Sequence, residues 1–341
     1  MKIAPTYVFI VISAVFVGGA LFSFPLLLNL QIERLQNRTL PTVTEQFPVS
    51  VDPKNKVIVE NAQANAFFEN TESPFQAAVG NTQRILGIIF EWIALSVAEV
   101  PWYQTLAAAE GSRFVSVTPG MRKEQVANAF AKTLVWNNGQ KKAFLTASNG
   151  SQLPLPEGSF APGIYSLAFD ITPEAAQTLV NERFMQDVLS HYGPETEQIV
   201  PLEQALTIAS LIEREAGGRD DMRIISGIIW NRLFIGMNLQ IDATLQYAKA
   251  NAKTNTAATG AWWPKALPAD IYRKSPYNTY LNPGLPPTPI ANPSVTTIVA
   301  ALNPKNTTCL FYFHDAARQF HCTDTYKEHV ALLKKYYGRG K

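Results

Sequence analysis

The pattern of apolar positions begins with one long uncharged block. Residues 7–30 read YVFIVISAVFVGGALFSFPLLLNL and contain no charged side chain. A helix of this length is long enough to cross a hydrocarbon core of about 30 Å. A cleaved signal peptide is the alternative, but it would have a shorter apolar region ending at a small-x-small site, which fits this block poorly. The pattern therefore predicts a transmembrane anchor.

The anchor is followed by a polar stretch and then by a second apolar segment. Residues 41–74 show no sustained hydrophobic period, so we expect a linker or a loosely folded stalk there. Residues 85–98 are strongly apolar but contain Glu91, and Glu99 follows directly. Because a second membrane crossing would have to carry these charges, a buried or membrane-surface helix is favoured.

Short periodic elements occupy residues 113–195. The alternation at residues 115–117 predicts a strand, and after a Pro-Gly turn the apolar positions of residues 126–134 recur at helical spacing. Residues 156–165, PEGSFAPGIY, are typical of turns. A further helix is expected after Thr172, a capping residue followed by a proline and an acid. These elements predict a small α+β unit that serves either packing or sugar binding.

The clearest amphipathic helix begins at Pro201 and ends in ASLIEREAGG, residues 209–218. Its apolar stripe recurs every three and four residues: Ala205, Ile208, Ala209, Ile212 and Ala216. Glu213 and Glu215 fall on opposite borders of this stripe, and Arg214 is predicted to point toward solvent. Two solvated acids are the simple interpretation, and one acid presented to a cleft is the alternative. Periodicity does not distinguish them.

Polar residues follow the next, isoleucine-rich helix, which Asp220 or Asp221 can cap. In the segment LQIDATLQYA, Asp242 either caps a short helix or lines a polar cleft beside Gln240 and Thr244. Both interpretations are compatible with the sequence.

A proline-rich segment, SPYNTYLNPGLPPTPIANPS at residues 275–294, predicts a rigid ordered loop. It displays Tyr277, Asn278, Thr279 and Tyr280. Aromatic faces beside amide and hydroxyl groups suit sugar rings, although such a loop can equally serve packing alone.

Two aromatic-rich segments near the C-terminus, residues 309–313 and 319–322, predict a β-hairpin. A two-residue turn would place Cys309 opposite Cys322, whereas a four-residue turn would offset them. A disulfide between them would form in an oxidising compartment. The nearby histidines and these cysteines match no familiar zinc spacing. A helix is predicted over residues 326–337.

Composition narrows the class of protein. Hydrophobic residues make up 47% of the chain and charged residues 16%, which argues against disorder. The net charge is +2, and no Lys/Arg run indicates nucleic-acid binding. Two cysteines exclude a disulfide-rich scaffold.

Four segments, taken in order, resemble the YceG-like family of membrane-anchored endolytic murein transglycosylases. They are ASLIEREA, WNRLFIGMNLQIDATLQYA, SPYNTYLNPGLPPTPIANPS and ALNPKNTTCLFYFHDAARQFHCTDTYKEH. A weaker match, VTPGMRKEQVA, looks like the family's LysM-like module. The resemblance implies an α+β fold with a transmembrane helix, a LysM-like α+β module and a mostly helical catalytic lobe that ends in a β-hairpin and a helix. The implied divisions are a cytoplasmic N-terminus (1–6), an anchor (7–30), a stalk (31–112), the module with its connection (113–195) and the catalytic domain (196–341).

The resemblance also implies the chemistry. Such enzymes cut the β-1,4 bond between N-acetylmuramic acid and N-acetylglucosamine of peptidoglycan and form a 1,6-anhydro ring, with no metal or organic cofactor. By this matching Glu215 is the general acid and then the base, and Glu213 is second choice. Partial burial should raise the pKa of this glutamate. The same matching assigns the glycan cleft to five residues: Gln240, Asp242, Tyr277, Asn278 and Thr279.

Location and partners follow from the same resemblance. It implies a single-pass protein of the bacterial inner membrane, with the catalytic domain outside the cytoplasm. Its partners would be glycan strands and cell-wall synthesis proteins, and its role the termination of growing strands. Two alternatives remain at this point: an inactive peptidoglycan-binding scaffold, and a glycan hydrolase, which would need a second carboxylate.

Overall fold

The computed structural model describes four stretches of the chain: residues 46–69, 112–146, 156–252 and 260–338. The predicted anchor at residues 7–30 and the apolar segment at residues 85–98 lie outside the described residues. Within those four stretches, no helix is both long and apolar enough to cross a membrane.

The described chain has a helix-rich α+β fold, and its strands form three small antiparallel pairs. In chain order the strands and α-helices are β1 (Val51–Asp52), β2 (Val57–Ile58), α1 (Ala62–Glu69), β3 (Ser112–Val117), α2 (Lys123–Leu134), α3 (Asn138–Leu145), β4 (Gly163–Ala168), α4 (Pro173–Asp187), α5 (Pro194–Ile199), α6 (Leu202–Glu215), α7 (Arg219–Phe234), α8 (Asp242–Asn251), α9 (Val295–Leu302), β5 (Phe311–His314), β6 (Phe320–Thr323) and α10 (Tyr326–Tyr337). Short 3₁₀ turns lie at Leu189–His191 and Pro268–Tyr272.

The smaller of two hydrophobic cores belongs to a βααβ module formed by β3, α2, α3 and β4, with α4 packed on it. β3 and β4 pair along their whole length, from Ser112 opposite Ala168 to Val117 opposite Gly163. The predicted strand and helix are confirmed, since Val115 and Phe130 are fully buried. β4 was not predicted, because its glycine and proline neighbours are typical of turns.

The start of α4 agrees with its sequence signal. The N–H of Ala175 donates to Oγ1 of Thr172 at 3.2 Å, so Thr172 is the N-cap, and Pro173 is the first helical residue. The helix ends at Asp187 and continues into the first 3₁₀ turn.

The larger core is built around α6. Its predicted apolar stripe is buried between α7 and α9, with Ala205, Ile208, Ala209 and Ile212 inaccessible to solvent. Trp230 on α7 is also buried, and its Nε1–H donates to the carbonyl of Ala301 on α9 at 2.9 Å. This bond satisfies the polar end of the largest side chain in the core.

Part of the predicted stalk belongs to this larger core instead. Phe47, Val51 and Phe67 are buried in it, and the N–H of Ser50 donates to the carbonyl of Leu302 at 3.0 Å. The expectation of a loose linker was wrong for residues 46–69, because their apolar residues are too sparse to show a period yet find partners far along the chain.

Asn292 joins the two cores. Its Oδ1 accepts hydrogen bonds from the N–H groups of Gly158 and Phe160, both at 3.0 Å, and its Nδ2 donates to the carbonyl of Met121 at 2.8 Å. The N–H of Gly120 also donates to the Asn292 carbonyl. Asn292 is fully buried, so this junction fixes the module against the larger core.

The predicted hairpin is formed by β5 and β6, with Tyr312 opposite Cys322 and His314 opposite Phe320. Its loop has three residues, 316–318, because the N–H of Asp315 pairs with the carbonyl of Gln319. Both predicted turn lengths were therefore wrong. A disulfide nevertheless joins Cys309 to Cys322, whose Cα atoms lie 5.8 Å apart.

Candidate active site

Glu215 is the last residue of α6, and the chain becomes extended at Ala216. The hydroxyl of Tyr312 on β5 donates to Oε2 of Glu215 at 3.0 Å. The N–H of Ala243, in the first turn of α8, also donates to this carboxylate. The residue as a whole is half-buried, so two elements hold the acid at the edge of the core.

Burial raises the pKa of Glu215 above its ordinary value, and the nearby charge of Asp242 adds to this increase. The hydrogen bonds from Tyr312 and Ala243 and the charge of His314 oppose it without cancelling it. Burial and the charge of Glu215 likewise raise the pKa of Tyr312, so the phenol stays a hydrogen-bond donor. The site favours a carboxyl group that holds its proton.

Asp242 is exposed beside Glu215, at the first position of α8. The hydroxyl of Tyr280 donates to its Oδ1 at 2.7 Å. The N-cap of this helix is Ile241, so Asp242 does not cap it by a side-chain bond; its charge instead complements the helix N-terminus. Asp242 thus contributes a second carboxylate to the surroundings of Glu215.

Gln240 is exposed and adopts a left-handed backbone conformation, with φ of +50°. Its N–H donates to the carbonyl of Thr279 at 3.0 Å, which holds the strained residue in place. Left-handed residues other than glycine are uncommon and often occur at functional sites. The structure therefore leaves the Gln240 side chain free at the surface, two residues before Asp242.

Asn278 and Thr279 do not line a cleft in this structure. Asn278 is fully buried, and its Nδ2 donates to the carbonyls of Ile271 and Arg273 at 3.0 and 2.8 Å. Oγ1 of Thr279 accepts from the N–H of Ile241 at 3.0 Å and contacts the hydroxyl of Thr244 at 2.9 Å. The proline-rich loop folds back on itself, so both side chains hold the loop and the start of α8.

Tyr277 is half-buried and packs against another aromatic side chain. Its ring centroid lies 4.8 Å from that of Tyr247, and its hydroxyl shares a 2.8 Å hydrogen bond with Thr288. Its contacts fix one face of the ring and leave the side chain partly exposed.

Glu213 has a structural environment. Its Oε2 accepts hydrogen bonds from the N–H and hydroxyl of Ser294 at 2.9 and 2.8 Å, and from the hydroxyl of Thr297 at 2.8 Å. Ser294 is the N-cap of α9, where a negative charge is favourable. The two glutamates are therefore distinguished by their neighbours, which the helical pattern did not reveal.

The turn after Glu215 is held by Asp221. Its carboxylate accepts from the N–H groups of Gly217 and Gly218, at 2.9 and 3.2 Å, and pairs with Nε2 of His314 at 2.6 Å. The N-cap of α7 is Gly218, and Asp221 at the third helical position accepts from its N–H, so an aspartate caps the helix from within its first turn. A Cβ on Gly217 would lie 2.9 Å from His314, so this close approach requires glycine.

The hairpin brings residues that sequence reasoning missed. Arg232 on α7 is buried and donates to the carbonyls of Leu310 and Leu239, which ties the hairpin to the segment before α8. Strand alternation offered one signal, because it places Tyr312 and His314 on one face of β5. The opposite face packs against α10, where Phe313 contacts Tyr337.

No group of three or more His, Cys, Asp or Glu side chains that could hold a metal ion occurs among the residues described.

Comparison with known protein families shows to which family this chain belongs. The model of the YceG-like family matches residues 97–335, well over half of the sequence. The chain belongs to the YceG-like family. Both the βααβ module and the Glu215 site lie inside the match.

YceG-like relatives cover parts of the chain. A segment of 137 residues, 40% of this chain, is 38% identical to the endolytic murein transglycosylase of Bacillus subtilis strain 168 and covers 35% of that protein. A segment of 159 residues, 47% of this chain, is 28% identical to the endolytic murein transglycosylase of Streptococcus pneumoniae D39 and covers 28% of it. The matched segments thus span about a third of these relatives.

A crystal structure of a YceG-like protein from Listeria monocytogenes shares the fold. The TM-score is 0.53 at 24% sequence identity, and the match covers 67% of this chain and 80% of that one. At this identity the likeness concerns the fold alone.

Proposed function

We propose that this YceG-like protein is a lytic transglycosylase that cleaves the β-1,4 bond between N-acetylmuramic acid and N-acetylglucosamine in peptidoglycan. The observation that carries the proposal is the environment of Glu215, a half-buried residue whose carboxyl group has a raised pKa and therefore favours the protonated form. The names of the two curated relatives support it, although each is matched over only part of its length.

One carboxyl group can perform this reaction. Protonated Glu215 donates its proton to the glycosidic oxygen as the bond to the muramic acid C1 breaks. The resulting carboxylate then accepts the proton of the C6 hydroxyl, whose oxygen bonds to C1 and closes the 1,6-anhydro ring. No water is added, and Glu215 regains its proton. Tyr312 and Ala243 keep the carboxyl group in one orientation throughout.

Cleft contacts are part of the proposal. Gln240, Asp242 and Tyr277 have exposed or half-exposed side chains that suit contact with sugar hydroxyls and ring faces. Asn278 and Thr279 are better suited to hold the loop that supports them, since their hydrogen bonds are made inside the protein.

A hydrolase is a second candidate, favoured by one specific observation. The charge of Asp242 is close enough to raise the pKa of Glu215, so a second carboxylate is present beside the acid. A hydrolase would use it as a nucleophile or to activate water. The mass of the products separates the two reactions, because hydrolysis adds water and the lytic reaction does not.

The remaining parts of the chain extend the proposal to the cell envelope. The βααβ module would be the LysM-like, wall-binding unit, and residues 7–30 would anchor the protein in the inner membrane. The disulfide between Cys309 and Cys322 suits an oxidising compartment outside the cytoplasm. The biological role would be to terminate nascent glycan strands beside cell-wall synthesis proteins.

The test uses the full chain with purified peptidoglycan strands and mass spectrometry of the products. We expect fragments that end in 1,6-anhydro-muramic acid, lost in Glu215→Gln and retained in Glu213→Gln. General acid–base catalysis contributes about 10²- to 10⁴-fold, so the loss should be at least of this order. Hydrated products would favour the hydrolase. Strand binding without cleavage, under conditions where an established lytic enzyme acts, would favour a scaffold protein.

A further inference from the structure

The position of Arg214 on α6 predicted a side chain that points into solvent. In the structure the side chain packs against the protein instead. Its guanidinium carbon lies 4.0 Å from the centroid of the Trp263 ring. A Cβ built on Gly120 would be 3.3 Å from its Nη1, which places the guanidinium against the βααβ module. Trp263 in turn donates to Oε1 of Gln125 on α2 at 3.2 Å. Arg214 therefore lines the junction of the two cores, one residue before Glu215.

The charge of Arg214 is not balanced by any hydrogen-bond acceptor or carboxylate within ion-pair distance in the described part of the chain. Glu213 accepts from Ser294 and Thr297, while Glu215 accepts from Tyr312. Nε of Arg214 is buried without an acceptor, and burial lowers the pKa of the guanidinium. The charges of Glu215 and Glu213 oppose this decrease, but in the described part of the chain neither carboxylate forms an ion pair with the guanidinium, so its position calls for a reason.

Two buried arginines on α7 donate from Nε to main-chain carbonyls. Nε of Arg223 donates to the carbonyl of Asn303 at 2.8 Å, and Nε of Arg232 donates to that of Leu310 at 2.7 Å. Arg214 differs from these two because its Nε has no acceptor. The ring of Trp263 holds its guanidinium plane without using the N–H donors. Its donors are thus available to an anion that enters the junction.

We propose that Arg214 binds a carboxylate carried by the muramic acid residue of the glycan, either on its peptide or on its lactyl group. This inference rests on the proposed function and specifies which chemical group of the glycan the Glu215 site would recognise. A guanidinium matches a carboxylate in a planar, two-bond arrangement, and Trp263 keeps it oriented before the ligand arrives. Because the charge of Glu215 acts on the Arg214 guanidinium, the bound anion would belong to the sugar whose glycosidic bond is cut.

The experiment compares strands with free carboxylates and the same strands after conversion of the carboxylates to carboxamides. Both peptide-bearing strands and peptide-free strands, which retain the lactyl carboxylate, are used with the full chain. We expect the wild-type protein to cleave the free-carboxylate form with about 10- to 100-fold higher kcat/KM, through a lower KM. The strand type that shows this preference identifies the source of the carboxylate.

Arg214→Met should reduce this preference to near one, through a higher KM for the free-carboxylate form, and Arg214→Lys should restore part of it. Arg219→Met is the matched control, because it removes the same charge nearby from a guanidinium that donates to the carbonyl of Phe67. Arg219→Met should keep the wild-type preference. An equal loss on both forms in Arg214→Met, or a wild-type protein without preference, would overturn the inference.

Failure of the proposed function is recognised separately. If the wild-type protein cuts no strand, the ratio of Kd values for the free and amidated strands, measured in Glu215→Gln with and without Arg214→Met, still tests Arg214. A ratio that Arg214→Met brings to near one supports carboxylate binding, and a ratio that it leaves unchanged contradicts it.

Discussion

The hydroxyl of Tyr312 donates a 3.0 Å hydrogen bond to Oε2 of Glu215, across 97 positions of sequence. This bond lowers the pKa of Glu215, against the larger effect of burial, which raises it. Tyr312→Phe removes the donor and should therefore raise the pKa of Glu215 further. In the proposed reaction the acid acts in its protonated form, so the alkaline limb of the kcat/KM profile should move to higher pH.

The pH–rate profiles of the wild-type protein and Tyr312→Phe measure this shift. Tyr192→Phe is a suitable control, since it deletes a hydroxyl that donates to the carbonyl of Val200, away from Glu215. An alkaline limb that moves to lower pH in Tyr312→Phe would show that the phenol acts on Glu215 in another way.

Glu213→Ala should lower stability rather than remove catalysis. The change leaves the N–H and hydroxyl of Ser294 and the hydroxyl of Thr297 without their shared acceptor at the start of α9. We expect a loss of about 1–3 kcal/mol in the free energy of unfolding, measured by guanidinium denaturation. Glu213→Gln keeps one acceptor oxygen and should lose less. A stable Glu213→Ala protein without cleavage would move the catalytic role to Glu213.

Glu157 makes stability depend on pH. It is buried beside the junction of the cores, and burial, reinforced by the charge of Glu124, raises its pKa to about 8. The folded protein then binds a proton that the unfolded chain releases at lower pH, near 4.5. The stabilising contribution is therefore complete below pH 4.5 and is lost as the pH rises through about 8.

Glu157→Gln tests this because the amide cannot ionise and keeps an acceptor for the N–H of Lys123. Between pH 5 and 8, the stability of Glu157→Gln should fall less than that of the wild-type protein, as measured by Tm in matched buffers. Parallel curves for the two proteins would show that Glu157 has an ordinary acidity.

The disulfide should stabilise the hairpin that carries Tyr312. Cys309 and Cys322 are 13 positions apart, and a loop of this size corresponds to about 3 kcal/mol when closed by a disulfide. We expect a reducing agent to lower the free energy of unfolding by about 3 kcal/mol and to reduce cleavage. The double variant Cys309→Ser with Cys322→Ser should have the same effect. Denaturation curves with and without the reductant measure it. The double variant is its own control, since the reductant should not affect it further.

The helices that position Glu215 could be predicted from the sequence, because each has a local signal. The stripe of α6 and the cap at Thr172 lie within a few residues of the elements they define, and the structure confirms both. The C-terminal helix also has its predicted limits, Tyr326–Tyr337.

The surroundings of the acid could not be predicted in this way. Glu213 and Glu215 have equivalent positions in the helical pattern, and their difference comes from Ser294 and Tyr312, both far along the chain. Asn278 was expected in a cleft because its polar side chain suits sugars, but the main-chain carbonyls of its own folded loop take its hydrogen bonds. Such hydrogen-bond partners are set by tertiary packing, which the periodicity of apolar residues along the sequence does not report.

The contact between the hairpin and Glu215 also sets a time order. During synthesis α6 emerges first, and Tyr312 follows 97 residues later. Until then Glu215 lacks the hydrogen bond from the Tyr312 hydroxyl and the full burial that raises its pKa. A nascent or truncated chain that ends before β5 therefore lacks the phenol that orients Glu215, and the candidate active site is complete only after β5 has been synthesised.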